Sequence, residues 1–155
     1  IVADGDRRVL EIVENEIGAR IVIEDHCSGV KPFYYSIPEN EDPYRALAGG
    51  YLDQAPCARM KTLEERVAFS GKLAQEYAID GVIYYYLKFC PCYGLTKNEF
   101  FRHFQQLGIP VLEIPGDYSQ SDEGQLKTRI EAFIEVLGER GKNNASNDQG
   151  TSKSA

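Results

Sequence analysis

Between Gly81 and Leu107 the hydrophobic pattern changes twice. Val82-Ile83-Tyr84-Tyr85-Tyr86-Leu87 is too continuous to alternate and predicts a strand buried on both faces. Cys90-Pro91-Cys92-Tyr93-Gly94 breaks that run. Thr96 with Glu99 then reads as a capping box ahead of Phe100, Phe101, Phe104 and Leu107, which lie at helical spacing. Two thiols therefore fall in the loop between a buried strand and a helix. In an open parallel sheet, such loops at the carboxyl ends of strands are where ligands bind.

The rest of the chain alternates in the same way. Residues 6–17 place Val9, Ile12, Val13 and Ile17 on one helical face, with Asp4 or Asp6 as N-cap and Gly18 as the stop. Residues 20–24, RIVIE, predict a short strand running into Asp25-His26-Cys27, so Cys27 occupies the same topological place as Cys90. Residues 31–42 read as loop, and 43–52 as a weak helix interrupted at Gly49-Gly50. A second capping box, Thr62 with Glu65, opens a helix to Tyr77 whose inner face is Leu63, Val67, Ser70, Ala74 and Tyr77. Residues 109–114 give a further strand. A final helix carries Leu126, Ile130, Phe133, Ile134 and Leu137 on one side.

Strands separated by helices predict an α/β fold: a three-layer parallel sheet, flavodoxin-like or Rossmann-like. The chain opens on a helix with no strand before it, and three strands make a thin sheet. A first strand upstream of Ile1 is therefore expected, and a start at Ile1 rather than Met points to a fragment or a processed product. Residues 1–139 form the domain. Residues 140–155 offer no large aliphatic side chain and predict a disordered tail.

Composition narrows the function. A net charge of −7, with no run of Lys or Arg longer than two, argues against nucleic acid. No apolar stretch approaches the roughly 20 residues of a membrane span, and no signal-peptide pattern is present. Four cysteines, Cys27, Cys57, Cys90 and Cys92, would suit two disulfides in a small secreted protein. This pattern has core enough without them, so four thiols in a reducing cytoplasm are expected. Any one of them alone reads equally as a small buried hydrophobe.

Cys-Pro-Cys lacks the second ligand pair of a zinc site. His26 and Cys27 are adjacent on an extended segment and point to opposite faces, which disfavours a Cys–His nucleophile. His103 lies beside an apolar helical face and reads as packed or solvated. An iron–sulfur cluster draws thiolates from separate loops. Cys27 and Cys90 converge if their strands are neighbours, with Cys92 two residues from Cys90.

Four stretches in order, GARIVIEDHCSG, YLDQAPCARM, DGVIYYYLKFCPCYG and GIPVLEIPGDYSQSDEGQLKTRIEAFIE, resemble the carboxyl-terminal domain of the 2-hydroxyacyl-CoA dehydratase and benzoyl-CoA reductase family (the D-component subunits). The resemblance covers Asp4 to Leu137. It implies a cytoplasmic lyase subunit of anaerobic metabolism, built from two flavodoxin-like domains that hold an oxygen-sensitive 4Fe-4S cluster. A homologous subunit completes the dimer, and an ATP-dependent iron–sulfur activator protein injects one electron at low potential. The electron reaches the thioester carbonyl of an acyl-CoA substrate as a ketyl radical, and hydroxyl then leaves C2. In the reductase branch the same route reduces an aromatic ring.

By the same resemblance Cys90 matches a cluster ligand, and Cys27 and Cys57 match recurrent cysteines. Cys92 is an extra thiol that keeps open a related branch, the double-cubane cluster proteins, which act in reduction or electron transfer. The expected metal and cofactor residues are thus Cys90, Cys92 and Cys27, with no catalytic residue singled out. A non-catalytic flavodoxin-like half that serves dimerisation is the remaining alternative.

Overall fold

The computed structural model describes residues 7–26, 29–39, 42–52, 57–59, 62–117 and 122–148, with side chains through Lys142. It is a mixed α/β arrangement around a small sheet of two parallel strands, β1 (Val82–Leu87) and β2 (Val111–Gly116). The register pairs Val82 with Val111 and Tyr84 with Glu113, ending at Leu87 and Gly116. The helices are α1 (Arg8–Glu11), α2 (Lys31–Tyr34), α3 (Pro43–Leu52), α4 (Leu63–Glu76), α5 (Pro91–Gly94), α6 (Lys97–Gln106) and α7 (Glu123–Asp148). No helix of the described residues is long and apolar enough to cross a membrane.

Strand periodicity decides where each side chain goes. Ile83, Tyr85, Leu112 and Ile114 join Val9, Ile12, Val13, Leu126 and Ile130 in one apolar cluster. Val82, Tyr84, Tyr86 and Val111 join Val67, Ala74, Phe100 and Phe104 in the other. Successive residues of a strand point to opposite faces, so α1 and α7 pack on one face of the sheet and α4 and α6 on the other. Phe104, Ile12 and Ile130 are the best-buried large side chains, at 1%, 1% and 0% exposure.

Several expectations are corrected. Residues 20–24 form no strand: they are extended without a ladder, exposing alternate residues such as Val22. The N–H of Ile21 donates instead to Glu14 Oε1, 3.2 Å away, and Ile21 packs on the first cluster. The pattern that makes a strand is thus used by an extended strap. β1 is not buried on both faces; Tyr84 is buried and its five neighbours are half-buried. Among the described residues the sheet has two strands, so each is an edge.

The first helix turns π-helical over Ile12–Glu16, the N–H of Ile17 bonding the carbonyl of Ile12. This wider pitch keeps both Ile12 and Val13 inward. The proposed caps Asp4 and Asp6 lie outside the described residues. Neither predicted capping box forms, since neither Thr62 nor Thr96 makes a side-chain cap bond. Glu99 pairs with Arg102 at 2.6 Å instead. Tyr77 is 39% exposed and leaves the buried face of α4 to Arg66, Val67, Phe69, Ser70, Leu73 and Ala74.

Glycine does not interrupt α3. Asp42 Oδ1 accepts the N–H groups of Tyr44 and Arg45 as an N-cap, and Gly50 allows Ile37 close, where a Cβ would meet Cγ1 at 2.9 Å. Part of the expected loop at 31–42 is the single turn α2. At the other end, α7 continues past residue 140 to Asp148. No proline stops it; Leu137 is half-buried, and residues 138–142 are helical and exposed. Helix propagation thus carries past the last packed turn.

Candidate functional site

The thiol turn is assembled from the end of β1. Lys88 donates its N–H to the carbonyl of Gly116 at 2.7 Å, the last bond between the strands. Phe89 then takes a left-handed conformation, φ 65°, with its ring 98% exposed. That reversal lets Cys90 donate its N–H back to Leu87 at 3.0 Å. Cys90 is the N-cap residue of α5, Pro91 occupies a first-turn position that needs no N–H, and Gly94 closes the turn onto the Cys90 carbonyl at 2.8 Å. Cys90 and Cys92 are free, half-buried thiols on one short segment.

Three side chains hold this turn from behind. Tyr84 Oη donates to the carbonyl of Tyr93 at 3.0 Å. Thr96 Oγ1 donates to the carbonyl of Cys92 at 2.7 Å. Arg66 Nη2, from α4, donates to that same Thr96 oxygen at 2.7 Å, and its guanidinium carbon lies 5.4 Å from the Tyr93 ring centre. The Tyr84 phenol is pushed up from its usual value by burial, so it stays neutral.

The segment leading to Cys27 is fixed to the same helix. Ser70 donates to Asp25 Oδ2, and Lys31 lies 2.9 Å from Asp25 Oδ1. His26 Nε2 is 3.3 Å from Glu24. Cys27 itself lies outside the described residues, and with it the expected convergence of Cys27 and Cys90. Cys57 is half-buried in the connector before α4. Among the described residues no group of three or more Cys, His, Asp or Glu side chains could hold a metal ion. In kind, the Cys90–Cys92 pair fits an iron–sulfur group, which takes thiolates; in number, it supplies two donors.

A second polar cluster spans the strands. Lys97 Nζ and Tyr86 Oη approach Glu113 Oε1 at 2.6 and 2.7 Å. The bond from Lys97, then that from Tyr86, holds the Glu113 carboxyl below its usual range, and the Glu113 contact raises Lys97 in turn. Beyond the strand end, Lys88 lies 2.8 Å from Asp117 and is raised by it.

Sequence reasoning located the turn and missed what holds it. Thr96 read as a helix cap, yet its hydroxyl serves Cys92. Arg66 carried a usable signal: it follows Leu63 by three and precedes Ser70 by four, on the face predicted to be buried.

The family model "2-hydroxyglutaryl-CoA dehydratase, D-component" matches residues 1–137. Over 131 residues the chain is 37% identical to the Escherichia coli (strain K12) protein named "Putative dehydratase subunit YjiM", an alignment covering 84% of this chain and 34% of that protein. Over 137 residues it is 26% identical to the (R)-phenyllactyl-CoA dehydratase beta subunit of Clostridium sporogenes, covering 88% and 36%. The chain thus spans about a third of the length of the curated relatives it matches.

Proposed function

The chain belongs to the 2-hydroxyglutaryl-CoA dehydratase D-component family, and from that premise we propose that it is part of an iron–sulfur subunit of a 2-hydroxyacyl-CoA dehydratase. The sheet with helices against both faces is, in this reading, the core of a three-layer flavodoxin-like domain. The observation that carries the proposal is the pair of free thiols, Cys90 and Cys92, on a turn braced at the carboxyl end of a parallel strand.

Cys90 would hold a 4Fe-4S cluster together with thiolates from other segments, Cys27 among them, and Cys92 would add a ligand if the assembly is larger. When bound, that cluster would supply a single low-potential electron to the thioester of an acyl-CoA, from which water is then eliminated. The residues of this chain bind and orient: Tyr84 and Thr96 fix consecutive carbonyls of the turn, and the packed face of α4 stands behind it. A homologous subunit and an ATP-dependent activator protein complete the system, in a reducing cytoplasm. Benzoyl-CoA-type reduction is the same electron route ending on an aromatic ring. A double-cubane reductase is the second reading, favoured by the second thiol at Cys92.

The test is anaerobic reconstitution of the full-length subunit with iron and sulfide counted for each variant. Cys90→Ala is expected to cost iron and the broad visible absorbance together, and Cys57→Ala is expected to be milder. Near-silence of Cys92→Ala indicates a 4Fe-4S site, whereas loss of iron indicates the larger assembly. If Cys90→Ala binds as much iron as the parent, Cys90 is a packing thiol and the cluster reading of this domain fails.

A further inference from the structure

We propose that Arg66 is a positioning residue for the Cys90–Cys92 turn and the counter-charge for the anionic group that the turn binds. The inference rests on the cluster reading above, since thiolate-bound iron–sulfur groups carry net negative charge.

Arg66 is only 5% exposed, inside the face that α4 turns toward α6 and the sheet. Among the described residues no carboxylate lies within ion-pair distance of its guanidinium. Its guanidinium donates to the Thr96 hydroxyl, lies against the Tyr93 ring and interacts with the Tyr84 phenol. The neighbouring Tyr84 phenol, raised by burial, supplies no negative charge either. Holding a cation out of water with no anion beside it is costly, and that cost is normally met by an opposite charge close by.

What does lie close by is the thiol turn. Arg66 donates to Thr96, and Thr96 donates to the carbonyl of Cys92, two bonds of 2.7 Å in series. A planar guanidinium can donate in its plane while its face lies toward an aromatic ring. An ammonium at residue 66 would keep the charge and lose one of those two contacts. Shape and charge therefore make separate contributions, and two substitutions separate them.

The experiment uses the full-length subunit, prepared anaerobically, as parent, Arg66→Met, Arg66→Lys and Thr96→Val. Three readouts are taken: iron and sulfide content, the reduction potential of the bound cluster, and amide hydrogen exchange at Gly94 and Leu95 in metal-free protein. Those two amides close the turn onto Cys90 and Pro91. Arg66→Met is expected to lose iron, or to hold a cluster whose potential moves to more negative values, because the positive charge that favours the reduced state is gone. Arg66→Lys is expected to restore the potential while the two amides exchange about tenfold faster than in the parent, as loss of a charge-assisted hydrogen bond implies. Thr96→Val is expected to match Arg66→Lys in exchange and the parent in potential.

If the parent binds iron and Arg66→Met equals it in iron, potential and exchange, this inference is overturned while the cluster reading stands. A parent that binds no iron overturns both. Should Arg66→Met fail to fold, unchanged exchange in Arg66→Lys and Thr96→Val overturns the relay.

Discussion

The phenol of Tyr84, at the buried centre of β1, donates to the carbonyl of Tyr93 across 3.0 Å, so the strand and the thiol turn after it share one anchor. Tyr84→Phe keeps the ring contacts with Phe100 and Phe101 and removes that bond together with the phenol's contacts to Thr96 and Arg66. A loss of about 0.5–1.5 kcal/mol is expected, the usual net worth of such a bond. Urea unfolding of parent and variant measures it, and an unchanged midpoint would show that water replaces the phenol without cost.

Phe89 permits a test of backbone strain free of packing. Its side chain is 98% exposed and its φ is 65°, a region that costs residues other than glycine about 1–2 kcal/mol. Phe89→Gly is therefore expected to be more stable than Phe89→Ala, by about 1 kcal/mol once the greater chain entropy of glycine is counted. Thermal melts of the two variants decide the sign.

Gly81 precedes β1 where α7 crosses it. A Cβ there would stand 2.9 Å from both Leu137 Cδ1 and Phe133 Cζ. Gly81→Ala is expected to destabilise by about 1–3 kcal/mol through overpacking. Gly138→Ala, with nothing within 4 Å of its Cβ, is expected to be neutral or mildly stabilising in the helix. Equal melting temperatures for the two variants would contradict the packing of α7 on the strand.

The Glu113 cluster sets a pH window. The folded carboxyl titrates below its usual value of 4.5, so its contribution is complete above that value and is lost as pH falls through the lowered one. Lys97 is raised above 10.5, so its contribution is complete below 10.5 and is lost as pH rises through the higher value. Both side chains are about a third exposed, which keeps the effect small. Glu113→Gln is expected to flatten the acid limb of a plot of melting temperature against pH. Parallel curves for parent and variant between pH 3 and 7 would show that Glu113 does not couple to folding.

Both strands were legible because they are short apolar runs bounded by turn residues, Gly81 and Cys90-Pro91 for β1, Gly108 and Pro110 near β2. Helices α4, α6 and the packed part of α7 were legible from their apolar periodicity. Residues 20–24 misled because an extended strap beside a core shows the same alternation as a strand; only a ladder partner distinguishes them, and that is a tertiary fact. The two threonine caps failed for a related reason in the case of Thr96, whose hydroxyl goes to Cys92 and Arg66. At the site, the thiol pair was visible as a motif. Its supports were not, since Tyr84 and Arg66 reach it from 9 and 30 residues away along the chain, Arg66 by way of Thr96.

The two strands pair across a single connection, from Leu87 to Val111. The contact that seats the first helix, from Arg8 Nη2 to the carbonyl of Asp117, closes a loop of 109 residues. Loop closure grows more costly with length, so contacts near in sequence form at lower entropic expense. Refolding is therefore expected to build β1, α6 and β2 first and to seat α1 last. In the order of synthesis, Val9, Ile12 and Val13 are made long before Leu126 and Ile130 of α7, their partners in the same apolar cluster.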